Sequence, residues 1–454
     1  MKPKAHVLLL PYPGQGHVNP MMQFARRLVS KGLKATLLTT VFISKAMGFG
    51  SSVGPVKIDV ISDGYDNGGF FEALDVEAYL TRLRAEGSRT LGELIVKYRG
   101  STNPVDCVVY EPFIPWALDV AKDYGLFAAA FFTQPCAVDY IYYNIQNKLL
   151  TLPITSNPVL IPGLPPLELR DMPSFVGVPK SYPAYFAMLL SQFSNAEKAD
   201  YLLINTFYKL EAEVVDTMSK ICPVLTVGPT VPSVYLDKRI ENDIEYNIDL
   251  FKLDASISMD WLSTKPPNSV VYVAFGSMAD LSQKQMEEIA WGLKNTGFYF
   301  LWVIKASEQE KFPKTEVEKL TDMGLVVTWS PQVKALATGT VGCFLTHSGW
   351  NSTIEALSLA VPMVAMPQWT DQPPNAKLVE DVWKVGVRVK ADENGIVTRD
   401  EIESCVREVM ESERGKEMKK NVEKWRELAI EAVSEGGSSD KNVDEFISNL
   451  VSSK

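Results

Sequence analysis

Residues 329–372 read WSPQVKALATGTVGCFLTHSGWNSTIEALSLAVPMVAMPQWTDQ, and their pattern decides the fold. Two apolar runs, Val341–Thr346 and Val361–Met366, bracket the turn His347-Ser348-Gly349-Trp350-Asn351-Ser352 and the amphipathic stretch Thr353–Ala360. Short apolar runs bounded by Gly and Pro read as buried strands, and Ile354, Leu357 and Leu359 suit a helix between them. The unit is therefore β-turn-α-β, with its polar cluster at the carboxyl end of a strand and the amino end of a helix.

Such a place favours an anion. Unpaired N–H groups at a helix start, together with the helix dipole, attract phosphate. Gly349 allows close approach to the backbone, and His347, Asn351 and Ser352 add side-chain donors. Glu355, a turn into the helix, can accept from the two hydroxyls of a ribose. Trp329 offers a flat face for a base, and Asp371 and Gln372 can fork onto sugar hydroxyls.

Outward from this stretch, the chain has 454 residues, more than one core usually holds, which predicts two domains. With 46% hydrophobic residues there is ample material to bury. A net charge of −10 argues against nucleic acid or an anionic membrane as partner. No apolar run reaches the roughly 18 residues of a membrane span, and the short apolar core near the amino end reads as a first strand, not a signal peptide. Five scattered cysteines lack disulfide or metal spacing, which suits a reducing cytosol. Nothing in the surface pattern calls for more than a monomer.

Val7–Leu10 reads as a strand, Pro11–Gly16 as a loop, and Asn19 as the cap of a helix with Pro20 at its first position. Ala35–Thr40 follows as a strand. This opening is Rossmann-like and raises a dinucleotide-dependent oxidoreductase as an alternative. However, Gly14-Gln15-Gly16-His17-Val18-Asn19 lacks the third glycine, and Thr39-Thr40 replaces the acid that would hold an NAD ribose. Further strands are expected at Lys57–Val60, Cys107–Tyr110, Ala128–Phe132, Tyr201–Asn205 and Val224–Val227, with helices at Ser88–Tyr98 and Trp116–Lys122. The Pro-rich region Pro153–Pro183 suggests a binding-site lining. The second half repeats the pattern: strands Val270–Phe275 and Phe300–Ile304, a capping box at Ser282-Gln283-Lys284-Gln285, a charged stretch Glu308–Lys319, and closing helices at Arg399–Met410 and Glu413–Val433. The domain division expected is 1–236, a linker 237–254, 255–438, and a terminal helix in 439–454 that packs back on the first half.

Of three histidines, His6 lies on the first strand and reads as structural. His17 follows the glycine loop at the mouth of the first sheet, where a group with a pKa near neutral can act as general base.

The chain resembles the plant UDP-dependent glycosyltransferases of secondary metabolism. The W-x-P-Q opening at Trp329, the H-x-G-W-N-S-x-x-E core from His347 to Glu355 and the D-Q close at Asp371-Gln372 carry the likeness. The loop Pro11–His17 and the closing Gly436-Gly437-Ser438-Ser439 extend it along the chain. The resemblance implies an α/β fold of GT-B type, two Rossmann-like doubly wound domains facing across a cleft. It places uracil on Trp329 with Gln332 beside it, ribose on Glu355, and the diphosphate on His347, Asn351, Ser352 and Ser277. Trp350, Asp371 and Gln372 would hold the sugar, with Gln372 pointing to glucose. Two departures stand out: Ser348 where the family usually has Cys, and Ala360 where it usually has Gly. Neither holds a contact in this scheme.

The resemblance also locates the partner of His17 just after Cys107–Tyr110, where the family usually carries Asp and this chain has Glu111. A carboxylate there fixes the tautomer and stabilises the imidazolium. The competing reading is a carboxylate that caps the following helix. The reaction implied is a single displacement on UDP-glucose that inverts the anomeric carbon, with no metal and no other cofactor. Gln15, Phe113, Phe132, Gln134, Tyr142, Tyr185 and Phe186 are the candidates for a pocket that takes a flat, lipophilic acceptor, though any one of them reads equally well as core. The subgroup it is most similar to includes enzymes for phenolic acids, thiohydroximates, steroids and triterpenoids. A sugar-nucleotide binder that has lost its base is the remaining alternative, and only Glu111 favours it.

Overall fold

The computed structural model describes residues 3–48, 50–178, 182–244, 246, 256–311 and 322–454. The chain forms two compact units. One comprises Met1–Leu167, Val178–Lys252 and Ile430–Lys454, and the other Glu168–Gly177 and Leu253–Ala429.

The first unit is built on an eight-stranded sheet of β1 (His6–Leu10), β2 (Lys34–Thr40), β3 (Ser52–Val53), β4 (Val56–Ile61), β5 (Cys107–Tyr110), β6 (Phe127–Phe132), β7 (Tyr201–Ile204) and β8 (Val224–Thr226). Its order is β3-β4-β2-β1-β5-β6-β7-β8, and only the β3–β4 pair is antiparallel. Strands buried on both faces read as near-continuous apolar runs, as Val7–Leu10 and Cys107–Tyr110 do. The order reverses between β1 and β5, which pair side by side with Leu10 opposite Tyr110. That is the topological switch point, where open α/β sheets bind ligands beyond the strands' carboxyl ends.

The second unit holds six parallel strands: β9 (Val270–Ala274), β10 (Tyr299–Val303), β11 (Gly324–Val327), β12 (Val341–Thr346), β13 (Met363–Ala365) and β14 (Gly386–Arg388). The order β11-β10-β9-β12-β13-β14 places its switch between β9 and β12, with Ala274 opposite Thr346. Both sheets are doubly wound, as α/β chains of this class require.

Several local expectations are corrected. The first helix spans Gln15–Ser30 with Gly14 as its cap, so Pro20 lies inside it and Asn19 is no cap. His17 thereby falls in its first turn. The helix expected at Ser88–Tyr98 is twice as long, Val76–Arg99, because Asp75 caps it by accepting from Ala78 N–H. Ser282 does cap the helix Gln283–Thr296, but Gln285 turns away from the expected box and binds the backbone of Val397 in both directions.

The division of the chain also differs from the one expected. The acids at the start of the expected linker are nearly fully buried in the first unit, Asp237 against Arg27 and Asp243 against Arg26. Residues 247–254 of that linker and most of the charged stretch 308–319 lie outside the described residues. Glu168–Gly177, in the Pro-rich region, belongs to the second unit. The terminal helix Ser438–Ser452 contributes Val443, Phe446, Ile447 and Leu450 to the core of the first.

Candidate active site

In the first unit, the switch point brings together the loop after β1 and the residues after β5. Glu111 N–H donates to the Leu10 carbonyl at 2.9 Å, which fixes Glu111 beside that loop. The carboxylate is 1% exposed, and its Oε1 lies 3.5 Å from His17 Nδ1. Its other oxygen, Oε2, accepts from Phe113 N–H at 3.1 Å. The extra methylene of Glu is thus absorbed by a turn onto its own following backbone. The capping reading of Glu111 is corrected: Phe113 precedes the helix Trp116–Asp123, whose cap is Pro115 and which has no side-chain cap.

The nearest partner of the His17 ring is neither of these. Nδ1 lies 3.0 Å from the hydroxyl of Thr133, which in turn stands 3.4 Å from Glu111 Oε1. Thr133 follows β6, and its hydroxyl sits between ring and carboxylate. With Nδ1 turned to these two acceptors, the N–H belongs on Nδ1 and the lone pair on Nε2. The rings of Tyr12 and Phe113 flank His17, with centroids 5.3 and 5.1 Å away.

The acceptor-side candidates divide. Gln15 and Phe113 adjoin His17 in sequence or space, and Gln15 is tied to Asn19 at 3.3 Å. Gln134 is buried at the end of β6, and its Oε1 has no hydrogen bond among the described residues. Tyr185 and Phe186 are half-buried on the helix Pro183–Ser191. Phe132 and Tyr142 are corrected to core. Phe132 is stacked on Phe193, and neither residue shows surface to a ligand, because β6 and the helix Cys136–Gln146 turn both inward.

In the second unit, β9 ends in Gly276-Ser277 and β12 in His347-Ser348-Gly349, side by side. The His347 ring fills the space between two glycines: a Cβ on Gly276 would meet Nε2 at 2.7 Å and one on Gly349 would meet it at 2.5 Å. Burial lowers the His347 pKa to about 4, against a hydrogen bond to the backbone of Ala274 that raises it. His347 is therefore neutral at pH 7, and its single N–H is the one held by the Ala274 carbonyl. The helix Trp350–Ser358 starts at Gly349, and its first internal bond runs from Thr353 N–H to the Gly349 carbonyl. The amides of Asn351 and Ser352 come before that bond, beside His347. Ser277 is exposed on its turn.

Glu355 is nearly buried and accepts from Gln332 Nε2 at 2.8 Å, and the same amide donates to Ser352 at 3.0 Å. Gln332 thus ties the residues assigned to ribose and diphosphate. Trp329 follows β11 and is half-buried. Asp371 is 8% exposed, and its Oδ2 accepts from Trp350 N–H at 3.2 Å and from Asn375 at 2.7 Å. Burial raises its pKa, opposed by these bonds and one from Thr370. The first amide of the helix is therefore occupied from within the chain. Gln372, itself buried, accepts from the amides of Gln368 and Trp369 at 2.8 and 3.0 Å, so its oxygen is engaged and its NH₂ is the group left to donate.

Sequence reasoning missed Thr133, Tyr12 and Asn375, although Tyr12 stands in the loop singled out and Thr133 directly precedes Gln134. It also passed over the backbone at the two departures from the family pattern. Ser348 and Ala360 both lie in the left-handed region, with φ of 62° and 57°.

Each unit thus presents polar groups at a switch point: a histidine with a carboxylate in one, and a neutral histidine at a helix start in the other. Two doubly wound α/β units of this kind make up the GT-B fold of sugar-nucleotide transferases. The chain belongs to the plant UDP-dependent glycosyltransferases. Residues 256–428 match the family model "UDP-glucoronosyl and UDP-glucosyl transferase". The chain is 54% identical to UDP-glycosyltransferase 74F2 and 53% identical to flavonol 7-O-beta-glucosyltransferase UGT74F1, both of Arabidopsis thaliana, over 99% of each chain. The structure of Os79 from O. sativa in complex with UDP superposes with a TM-score of 0.93 at 40% identity, covering 98% of this chain and 100% of that one. Among the described residues no helix is long and apolar enough to cross a membrane.

Proposed function

We propose that this chain is an inverting UDP-glucose-dependent glucosyltransferase that uses His17 as its base and takes a small lipophilic plant metabolite as acceptor. The observation that carries the reading is the His17–Thr133–Glu111 contact at the switch point of the first sheet. Nε2 of His17 takes the acceptor hydroxyl's proton, and the oxygen forms a bond to the anomeric carbon. The bond from that carbon to the diphosphate oxygen breaks, and its electron pair leaves with UDP. Glu111 stabilises the imidazolium, and Thr133 orients the ring. The amides at Asn351 and Ser352 receive the charge on the leaving diphosphate, with the neutral ring of His347 beside them. Charge stabilisation is then supplied by the chain itself, and the reading calls for no metal.

Trp329, Gln332 and Glu355 would take uridine, while Trp350, Asp371 and the NH₂ of Gln372 would take glucose. The half-buried aromatic residues Phe113, Tyr185 and Phe186 favour a flat or fused-ring acceptor such as a flavonoid, phenolic acid, steroid or triterpenoid. A flavonol is the acceptor in the name of one relative. Glu111 reaches His17 despite its length, which weighs against a binder without a base. The five cysteines are all free, in keeping with a protein working in the reducing cytosol.

The test is a product screen by mass spectrometry with UDP-glucose, EDTA and a panel of phenols, benzoic acids, flavonoids, steroids and triterpenoids. The expected result is a gain of one hexose on at least one acceptor. Bound UDP-glucose with no product on any acceptor would sink the proposal.

A further inference from the structure

The segment Glu168–Gly177 comes from the first half of the sequence, yet it is packed into the second unit beside the residues assigned to the sugar. We propose that this segment is a brace that sets the loop Trp369–Gln372, with Ser174 as its positioning residue. The proposal rests on the reading of Asp371 and Gln372 as glucose contacts.

Three contacts hold the brace. Ser174 N–H donates to the Thr370 carbonyl at 2.9 Å, and Thr370 N–H donates back to the Ser174 hydroxyl oxygen at 2.8 Å. Asp171, 1% exposed, accepts from Arg388 Nη1 at 2.6 Å and faces Lys377 Nζ at 3.6 Å. Phe175 meets Trp369 edge to face, with ring centroids 5.8 Å apart.

The loop needs such support. Thr370 has a φ of 54°, a left-handed conformation that a β-branched residue rarely adopts and keeps only when its surroundings impose it. From that conformation the Thr370 hydroxyl donates to the Asp371 carboxylate and accepts from Asp371 N–H. Asp371 then accepts from Trp350 N–H and Asn375, and Gln372 is turned by the amides of Gln368 and Trp369. The direction in which Asp371 and Gln372 point therefore follows from the backbone of Thr370. Ser174 holds that backbone through both its N–H and its C=O.

Ser174 touches neither uridine nor diphosphate contacts, so its effect is confined to the sugar. Calorimetric titration of UDP and of UDP-glucose into wild-type, S174A, S174T and Q372A proteins separates the possibilities. S174A is expected to weaken UDP-glucose about five- to tenfold, as for one lost hydrogen bond, with UDP unchanged. S174T, which keeps the hydroxyl, should restore most of the affinity. In turnover, S174A should raise the KM for UDP-glucose and leave that for acceptor unchanged. Equal weakening of UDP and UDP-glucose by S174A would make Ser174 a general structural residue and overturn the brace. Weakening by Q372A without any effect of S174A would overturn the brace and keep the sugar reading. UDP-glucose affinity unchanged in Q372A would remove the sugar reading, and the brace with it.

Discussion

Replacing Glu111 with Gln removes the charge that faces the His17 ring and keeps the shape of the side chain. The separation is 3.5 Å, and the carboxylate is 1% exposed. At an effective dielectric of about 20, Coulomb attraction between this carboxylate and the imidazolium formed during transfer is about 4–5 kcal/mol. Thr133 and the partly exposed ring share that load, so about 3–4 kcal/mol is lost from the transition state. This corresponds to a fall of roughly 10²–10³ in kcat/KM. The Glu111 Oε2 contact to Phe113 N–H can be kept by the Gln oxygen, so the fold and the UDP affinity should hold. Thr133→Val, which removes the nearer partner but leaves the charge, should cost about tenfold or less. The assay is steady-state turnover on an acceptor with a phenolic hydroxyl, with UDP binding as control. Turnover of Glu111→Gln within about threefold of wild type, with UDP binding intact, would refute the reasoning.

Ser348→Cys should stabilise the protein. The Ser348 hydroxyl is fully buried without a hydrogen bond among the described residues, and removing it relieves about 1 kcal/mol, or roughly 2–4 °C in thermal midpoint by calorimetry. Ala360→Gly should gain up to about 1 kcal/mol, since Ala360 follows the helix Trp350–Ser358 in the left-handed position where a glycine ends most such helices. Urea melts that show either variant less stable than wild type would contradict this. Acid should unfold the protein early. Burial lowers the His6 pKa to about 4, so its contribution is complete above about pH 6.5 and is lost as pH falls toward 4. At pH 4.5 the loss is on the order of 2–3 kcal/mol, and His6→Gln should flatten the acid limb of stability against pH. Glu211 and Asp371, whose pKa values burial raises, act in the opposite sense, since their contribution is complete below the usual carboxylate pKa and fades as pH rises.

The strands were legible because sheets buried on both faces demand unbroken apolar runs, and Cys107–Tyr110 and Val341–Thr346 are such runs. The polar turn after Val341–Thr346 was legible for the same local reason: glycine, a histidine and a helix start lie within a few residues. Local rules misplaced the first helix, where Asn19-Pro20 has the form of a cap but Gly14 opens the helix a turn earlier. Long-range partners left no trace. Thr133 meets His17 across 116 residues, and Asp171 meets Arg388 across 217. The backbone at Ser348 and Ala360 was also hidden, because a residue other than glycine gives no sign that its φ is positive. Both departures from the family pattern fall at such positions, and at Ala360 the left-handed backbone gives the usual glycine a physical cause the motif alone does not reveal.

The central claim, that His17 takes the proton from the acceptor, is tested most directly by kcat/KM of His17→Ala on two acceptors that differ only in ionisation. With a phenolic hydroxyl, loss of the base should cost about 10²–10⁴. A carboxylic acid acceptor is already ionised at pH 7 and should lose far less. Near wild-type turnover on the phenol, or equal losses on both acceptors, would contradict the assignment of His17 as the base.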